Sequence, residues 1–299
     1  MTLPEISILL DDAGACRWGT ADALPPPPPT IKQYADWIAS GKHGTMDYLD
    51  RYHDVRSDPR LLLPGARSII VAAFNYYHPE VPRLPIARYA LGRDYHEVVR
   101  RRLMAVADSI TAGTGETCRV TVDTAPLRER YFAVRSGVGF VGKNNLLIVP
   151  GIGSWVVLGE IITTLSLPPS EPCVLNCADC GKCAEACPGG ALDGSGSAAD
   201  ARRCLSYLTI EYRGATLPSD RIPSLYGCDV CQAVCPHNAT APVTTIPEFM
   251  PRSELLTLSA EQVATLSQPE FSRIFSHSAI KRAKLAGLLR NLHYLDRRQ

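Results

Sequence analysis

Apolar positions recur along this chain with two different periods, and over roughly the first 165 residues they predict strands and helices in alternation. Residues 68–77 form a largely apolar run of strand length, and 119–123 a shorter one. Residues 94–113 carry Val99, Leu103, Val106 and Ile110 at helical spacing, which predicts an amphipathic helix. Short helices are expected over 30–40 and 43–52, and another over 126–136 with a proline in its first turn. The five prolines at 25–29 are expected to end the N-terminal segment and act as a stiff spacer. Residues 146–167 are apolar enough to suggest a membrane span, but Pro150, Gly151, Gly153, Gly159 and Glu160 would break the helix and put a charge in lipid. The stretch reads instead as a buried hairpin, with strands 145–149 and 155–163 turning through 150–154, in a soluble chain.

Regularity then gives way. Pro168-Pro169 marks a break, 195–199 a small flexible tip, and 259–266 and 278–295 two helices with serine caps. The pattern predicts an α+β protein with a cofactor domain over 1–167, a cysteine-rich domain over 168–245 and a short helical, basic tail over 246–299. No internal repeat is evident beyond the cysteine runs. Composition is that of an ordinary globular protein, with 45% hydrophobic and 20% charged residues. A net charge of +1 gives no global attraction to polyanions. Locally, Arg273, Lys281, Arg282, Lys284, Arg290, Arg297 and Arg298 face the single acid Asp296. Such a patch is either a phosphate footprint or a solvated helix face, and on charge alone the solvated face is favoured.

The cysteines change the picture most. Cys177-x2-Cys180-x2-Cys183-x3-Cys187-Pro188 has the bacterial ferredoxin spacing, and Cys228-x2-Cys231-x3-Cys235-Pro236 follows with Cys204 upstream. A tight loop with a ligand every third residue can aim three sulfurs at one cubane, and the Cys-Pro turn sends the last sulfur elsewhere. The runs supply seven ligands and Cys204 the eighth, enough for two 4Fe-4S clusters. The expected sharing is Cys177, Cys180, Cys183 and Cys235 on one cluster, and Cys187, Cys204, Cys228 and Cys231 on the other. Zinc would favour two separated ligand pairs, and a disulfide framework a short secreted chain, whereas no secretory start is seen. Cys16, Cys118 and Cys173 are expected to be spare thiols, and free thiols beside oxygen-sensitive clusters argue for the cytoplasm.

What the first domain does with the electrons is less legible. Residues 87–96 crowd Arg88, Tyr89, Arg93, Asp94, Tyr95 and His96 around Gly92. Asp123 ends a strand just before a Pro-led helix, and 137–145 is glycine-rich with Lys143 and Asn144 near its end. Each has a plain alternative: Asp123 as a helix cap, the glycines as close-packing positions, His96 as a half-buried histidine. Residue chemistry alone reaches an iron–sulfur oxidoreductase with a polar pocket.

The segments 87–96, 122–126, 139–147, 153–163, 177–188, 204–211 and 226–236 together resemble the epoxyqueuosine reductase family, in the same order and spacing, and the resemblance spans about 48–291. It implies a nitroreductase-like cobalamin-binding domain fused to a two-cluster ferredoxin-like domain. It also implies reduction of epoxyqueuosine to queuosine in tRNA, the final step of queuosine synthesis, with an external reductase, flavodoxin or ferredoxin supplying electrons to a monomeric enzyme. By that resemblance Asp123 is the proton donor, which would require a carboxyl kept protonated near neutral pH by burial or a neighbouring negative charge. Arg88, Tyr89, Arg93, Tyr95, His96, Lys143, Asn144 and Ser206 become candidates for contacts to cobalamin or substrate. Family members commonly continue into a helical-repeat region, whereas this sequence ends at Gln299; the expectation is that tRNA is held more by the basic tail and the pocket rim. The segment 222–227 lacks an expected basic residue, and Asp229-Val230 replaces an acidic pair. The other readings are a reductive dehalogenase-like corrinoid enzyme, which would be expected to begin with a twin-arginine signal, and a non-enzymatic electron carrier or corrinoid activator.

Overall fold

The computed structural model describes residues 1–177, 179–219 and 222–295. Its strands, in chain order, are β1 (Arg17–Asp22), β2 (Ser68–Asn75), β3 (Cys118–Thr121), β4 (Phe140–Val141), β5 (Leu147–Ile148) and β6 (Val156–Thr163). Four of them form an antiparallel sheet in the order β1-β2-β6-β3, in which β2 and β6 pair along their whole length from Ser68↔Thr163 to Asn75↔Val156.

Every residue of β2 is buried because helices cover both faces of the sheet. On one face Ile70, Ala72, Phe74 and Ile161 pack against Val99, Leu103, Val106 and Ile110 of the helix Tyr95–Thr114 and against Ile6 and Leu10 of the helix Leu3–Asp12. On the other, Ile69, Val71, Ala73, Leu158 and Ile162 meet Phe132 and Ala133 of the helix Glu129–Arg135. Each fully buried Ile or Leu contributes roughly 1.5–3 kcal/mol relative to exposure. Gly159 lets the long helix close on the sheet: a Cβ there would lie 2.5 Å from Val99 Cγ1. The Asp94 side chain caps that helix by accepting from the His96 amide, and Gly115, at φ 75°, ends it in the left-handed conformation.

Several expectations are corrected. Pro28 and Pro29 do not belong to a spacer but open the helix Pro28–Ala39, where their missing N–H groups cost nothing. The helix expected from 126 begins only at Glu129, so Pro126 lies in the loop before it. The expected hairpin is split between two sheets. Its turn exists, closed by a Val149–Gly153 bridge, but β5 pairs with β4 while β6 joins the main sheet. The region 43–52 yields a single 3-10 turn, Asp47–Leu49, followed by the helix His53–Ser57.

The C-terminal segment closes over the junction of the molecule. Leu255, Val263, Phe271, Phe275, Ile280, Leu288, Leu292 and Leu295 share one core with Leu84, Ile86 and Leu91 from the first part of the chain and with Leu225 and Tyr226 from the cysteine-rich part. Three of the five described members of the basic patch have partners within the chain. Arg273 pairs with Glu254 and Arg282 with Glu211, while Arg290 donates to the carbonyls of Leu208, Tyr212 and Gly214. Asp296, Arg297 and Arg298 lie outside the described residues. Among the described residues, no helix is long and apolar enough to cross a membrane.

Candidate active site and cluster-binding loops

The cysteine loops contain only short helices, Lys182–Glu185, Leu205–Ile210 and Val230–Ala233, yet they gather the sulfurs into two groups. Cys177, Cys180, Cys183 and Cys235 line one pocket, with Lys143, Asn144 and Ile148 on its wall. Burial pushes the Cys231 thiol up to about 12, and Cys228, Cys204 and Cys187 push it further in the same direction; Cys228 is raised to about 11 by burial, with Cys204 and Cys187 again among its neighbours. Cys183 of the first pocket also pushes Cys231 up, so the two groups of sulfurs adjoin. A free thiolate would be costly at these buried positions, whereas bound iron holds a coordinating thiol deprotonated. Backbone amides of Lys143 and Ala191 donate to the sulfurs of Cys177 and Cys187 at 3.2 and 3.3 Å, an added support for negative charge on sulfur.

A second constellation lies at the end of β3. Asp123 has φ 52°, a left-handed conformation unusual for a residue with a side chain. Its Oδ2 accepts from the Tyr95 hydroxyl at 2.8 Å and lies 3.1 Å from His96 Nε2, while His96 Nδ1 lies 2.7 Å from Asp94 Oδ1. Both ring nitrogens of His96 therefore face carboxylates. Burial opposes the charged imidazole, but the hydrogen bonds and charges of Asp123 and Asp94 outweigh it and raise His96 to about 9. Burial likewise raises Asp123, yet His96, Tyr95 and Arg130 together bring it below the usual carboxylate value. The Asp123 side chain is 56% exposed and so accessible from solvent.

Two expectations for Asp123 change here. It does not cap the following helix, whose N-cap is Arg128. Instead, its own N–H donates to Glu129 Oε1. Burial alone would favour its neutral form, but hydrogen bonds from His96 and Tyr95 act in the opposite direction and favour the carboxylate.

The other candidates are dispersed. Lys143 and Asn144 stand at the first cysteine quartet, Lys143 paired with Asp179. The Arg88 guanidinium packs over Tyr77 and Trp155 and its amide donates to Asp229, the residue after Cys228. Arg93 pairs with Glu97 at the surface, and Ser206 sits in the first turn of Leu205–Ile210 beside Cys204. Tyr89 lies between Tyr95 and Tyr76, with ring centroids 5.9 and 6.4 Å away. Only Tyr95 and His96 join Asp123. Sequence reasoning misses Asp94 as the partner of His96, and Glu129, Arg130 and the fully buried Glu160 behind Asp123. The available signal was the lone acid Glu160 in an apolar strand.

Two family models match the chain, one described as epoxyqueuosine reductase QueG, DUF1730, over residues 56–124, and one as a 4Fe-4S double cluster binding domain over 176–238. An epoxyqueuosine reductase of Xanthomonas campestris is 38% identical over 270 residues, covering 86% of this chain and 76% of that protein. A crystal structure of epoxyqueuosine reductase with an epoxyqueuosine-modified tRNA-Tyr stem loop superposes with a TM-score of 0.89 at 30% identity, covering 97% of this chain and 81% of that one. The Bacillus subtilis enzyme, at TM-score 0.86 and 29% identity over 97% of this chain and 81% of its own, was captured with its catalytic aspartate loop swung out of the active site. A reductive dehalogenase described in terms of B12-dependent dehalogenation shares the fold, at TM-score 0.51 and 15% identity over 97% of this chain and 37% of its own.

Proposed function

Because the chain belongs to the epoxyqueuosine reductase family, whose members are oxidoreductases, we propose that it reduces epoxyqueuosine at the tRNA wobble position to queuosine. The observation that carries this reading is likeness along nearly the whole chain to a reductase solved with its modified stem loop. The conversion takes up two electrons and two protons per epoxide and releases one water, so the protein must deliver both.

Electrons enter through the two 4Fe-4S clusters of residues 176–238. Cys180 is exposed, so the first quartet is the entry for an external donor. The second quartet lies toward the cleft: Asp229 beside Cys228 holds the Arg88 amide, and the rings of Tyr76, Tyr89 and Tyr95 continue to Asp123. Protons are the task of the Asp123 floor. A proton held at His96 Nε2 passes through Asp123 Oδ2 toward the leaving oxygen, with the Tyr95 hydroxyl fixing the carboxylate. An electron carrier alone would have no use for this assembly.

The reading adds cobalamin as resident cofactor, in a cleft formed by residues 1–167 with the tail 246–299 closing its rim. When bound, its reduced cobalt supplies the reductant at the epoxide carbon. The residues fit: the Asp123 side chain is accessible, and Arg88 keeps a buried Nε without a hydrogen-bond partner that could meet an acceptor of the bound group. Arg88 and Tyr89 on one wall and Tyr95 and His96 on the floor are the residues that would hold it. We place the enzyme in the cytoplasm as a monomer.

The test is anaerobic turnover of an epoxyqueuosine-bearing stem loop by the cluster-loaded protein with and without added cobalamin. Loss of one oxygen from the modified base, dependent on cobalamin, is expected. An unchanged substrate under full cluster and corrinoid loading overturns the reading.

A further inference from the structure

Behind Asp123 lie two carboxyls that the proposed reaction does not use. Glu160 stands on β6 opposite Thr121 of β3, fully shielded from solvent. The Thr121 hydroxyl donates to its Oε2 at 2.9 Å, but its Oε1 accepts from no N–H or O–H group. The acid that acts on Glu160 most strongly is the neighbouring Glu129 carboxyl. Glu129 in turn accepts the N–H of Asp123 through Oε1. Two carboxylate oxygens facing each other in a dry interior can bond only if a proton lies between them; with none, they repel.

We propose that Glu129 and Glu160 are positioning residues that share a proton and thereby hold the Asp123 loop in its docked, left-handed conformation. The inference rests on the reading of Asp123 as the proton-handling residue. The backbone argument is local. A non-glycine residue at φ 52° sits in a sparsely populated region, and its N–H must be held from outside to stay there. Glu129 is the group that holds it. Glu129 is itself anchored only if Glu160 attracts it, and Glu160 cannot retreat, because it is wedged between Thr121 and the sheet interior.

The charged neighbours agree in direction. Facing the pair are Asp123 on the loop, Arg130 next along the short helix, and Asp94, Tyr95 and His96 on the long helix; Tyr48 senses Asp123 from the 3-10 turn. Burial first, and then the charge of Asp123, push Glu129 up to about 8, with Arg130 and His96 opposing. Glu160 is raised further by burial and by Glu129. Groups raised in this way favour the docked state while protonated. The pair's contribution to docking is therefore fully present below about pH 4.5, the ordinary value for Glu129, and is lost as pH rises from there through about 8.

Glutamine separates this from a merely structural role, since its amide supplies a permanent N–H donor where the shared proton would be lost. The experiment compares the cluster-loaded wild type with Glu160→Gln, Glu160→Leu and Glu129→Gln. Amide exchange of residues 122–128, corrected for intrinsic chemistry, is followed from pH 6.5 to 10 without RNA, and stem-loop turnover over the same range. In the wild type, exchange should rise as pH climbs toward about 8 and level off above it, with turnover falling over the same window. Either glutamine variant should keep the loop protected and move the alkaline limb of turnover up by about one pH unit, until the His96 titration near 9 takes over. Glu160→Leu should expose the loop at every pH. Glutamine variants that track the wild type, or lose protection as fully as leucine, overturn the proposal; Glu129→Gln decides if Glu160→Gln fails to fold. The expected exchange pattern without any turnover would support the carboxyl pair and count against the substrate reading.

Discussion

Around the cysteines the chain has little regular structure: the ligand runs pass through the four-residue helices Lys182–Glu185 and Val230–Ala233 and the loops between them. Around Asp123 the arrangement is the reverse. Thr121 ends β3, Glu160 lies in β6, Glu129 and Arg130 open a helix, and Tyr95 and His96 begin the longest helix of the described residues. The contrast follows from what each region holds. Thiolates are drawn into place by the iron they bind, so close spacing along a pliable loop is sufficient. A proton assembly has no such template and works only if its scaffold already fixes the hydrogen-bond distances.

The sharpest way to break this contrast is to remove one ligand. Cys204→Ser should lower iron from about eight to about four atoms per chain and abolish turnover, while the sheet and its circular dichroism persist. Retention of full iron would disprove the grouping. Asp123→Asn tests the other region: iron should be unchanged, and turnover should fall by roughly two to four orders of magnitude. A fall of less than tenfold would assign the proton to another group. Arg290→Met attacks the seam between the regions. It frees the carbonyls of Leu208, Tyr212 and Gly214, and should cost roughly 2 kcal/mol of stability, read as a lowered Tm. A smaller, pH-dependent effect belongs to His96. Its folded value near 9 exceeds its ordinary 6.5, so its stabilisation is complete below pH 6.5 and fades as pH rises through about 9. The Tm difference between wild type and His96→Gln should shrink over that window, and a constant difference would refute the pairing with Asp94 and Asp123. Cys173→Ser should change neither iron content nor turnover, because its thiol stands outside both quartets.

These regions were unequally legible for the same physical reason. Cluster ligands repeat at short intervals, so the double-cluster region over 176–238 can be anticipated from spacing. The strands and the long helix were also visible, since Val99, Leu103, Val106 and Ile110 carry the helical period in one segment. Glu160 was not, because its role depends on pairing of β3 with β6, a contact between distant parts of the chain. In the sequence it is only a charge that argues against a membrane helix. The split of the expected hairpin has a similar origin: residues 147–148 and 156–163 are both apolar, and only the three-dimensional neighbours decide which sheet each joins. Of the residues 87–96, composition revealed polarity but not direction, so Arg88 and Arg93 looked equivalent to Tyr95 and His96.

Asn238 has a consequence for timing. Its buried amide accepts the Ser154 N–H at 2.7 Å and donates to Ser154 Oγ and to the carbonyl of Gln232. It thus bolts the loop carrying Cys231 and Cys235 to the turn that leads directly into β6, the strand of Glu160. A ferredoxin module on a slack tether would sweep through many separations and transfer an electron only at the shortest. Here the Asn238 joint holds the cysteine loop against the turn before β6 instead of leaving it on a slack tether. At a fixed separation, electron transfer depends on driving force and reorganisation energy, with no search through geometries.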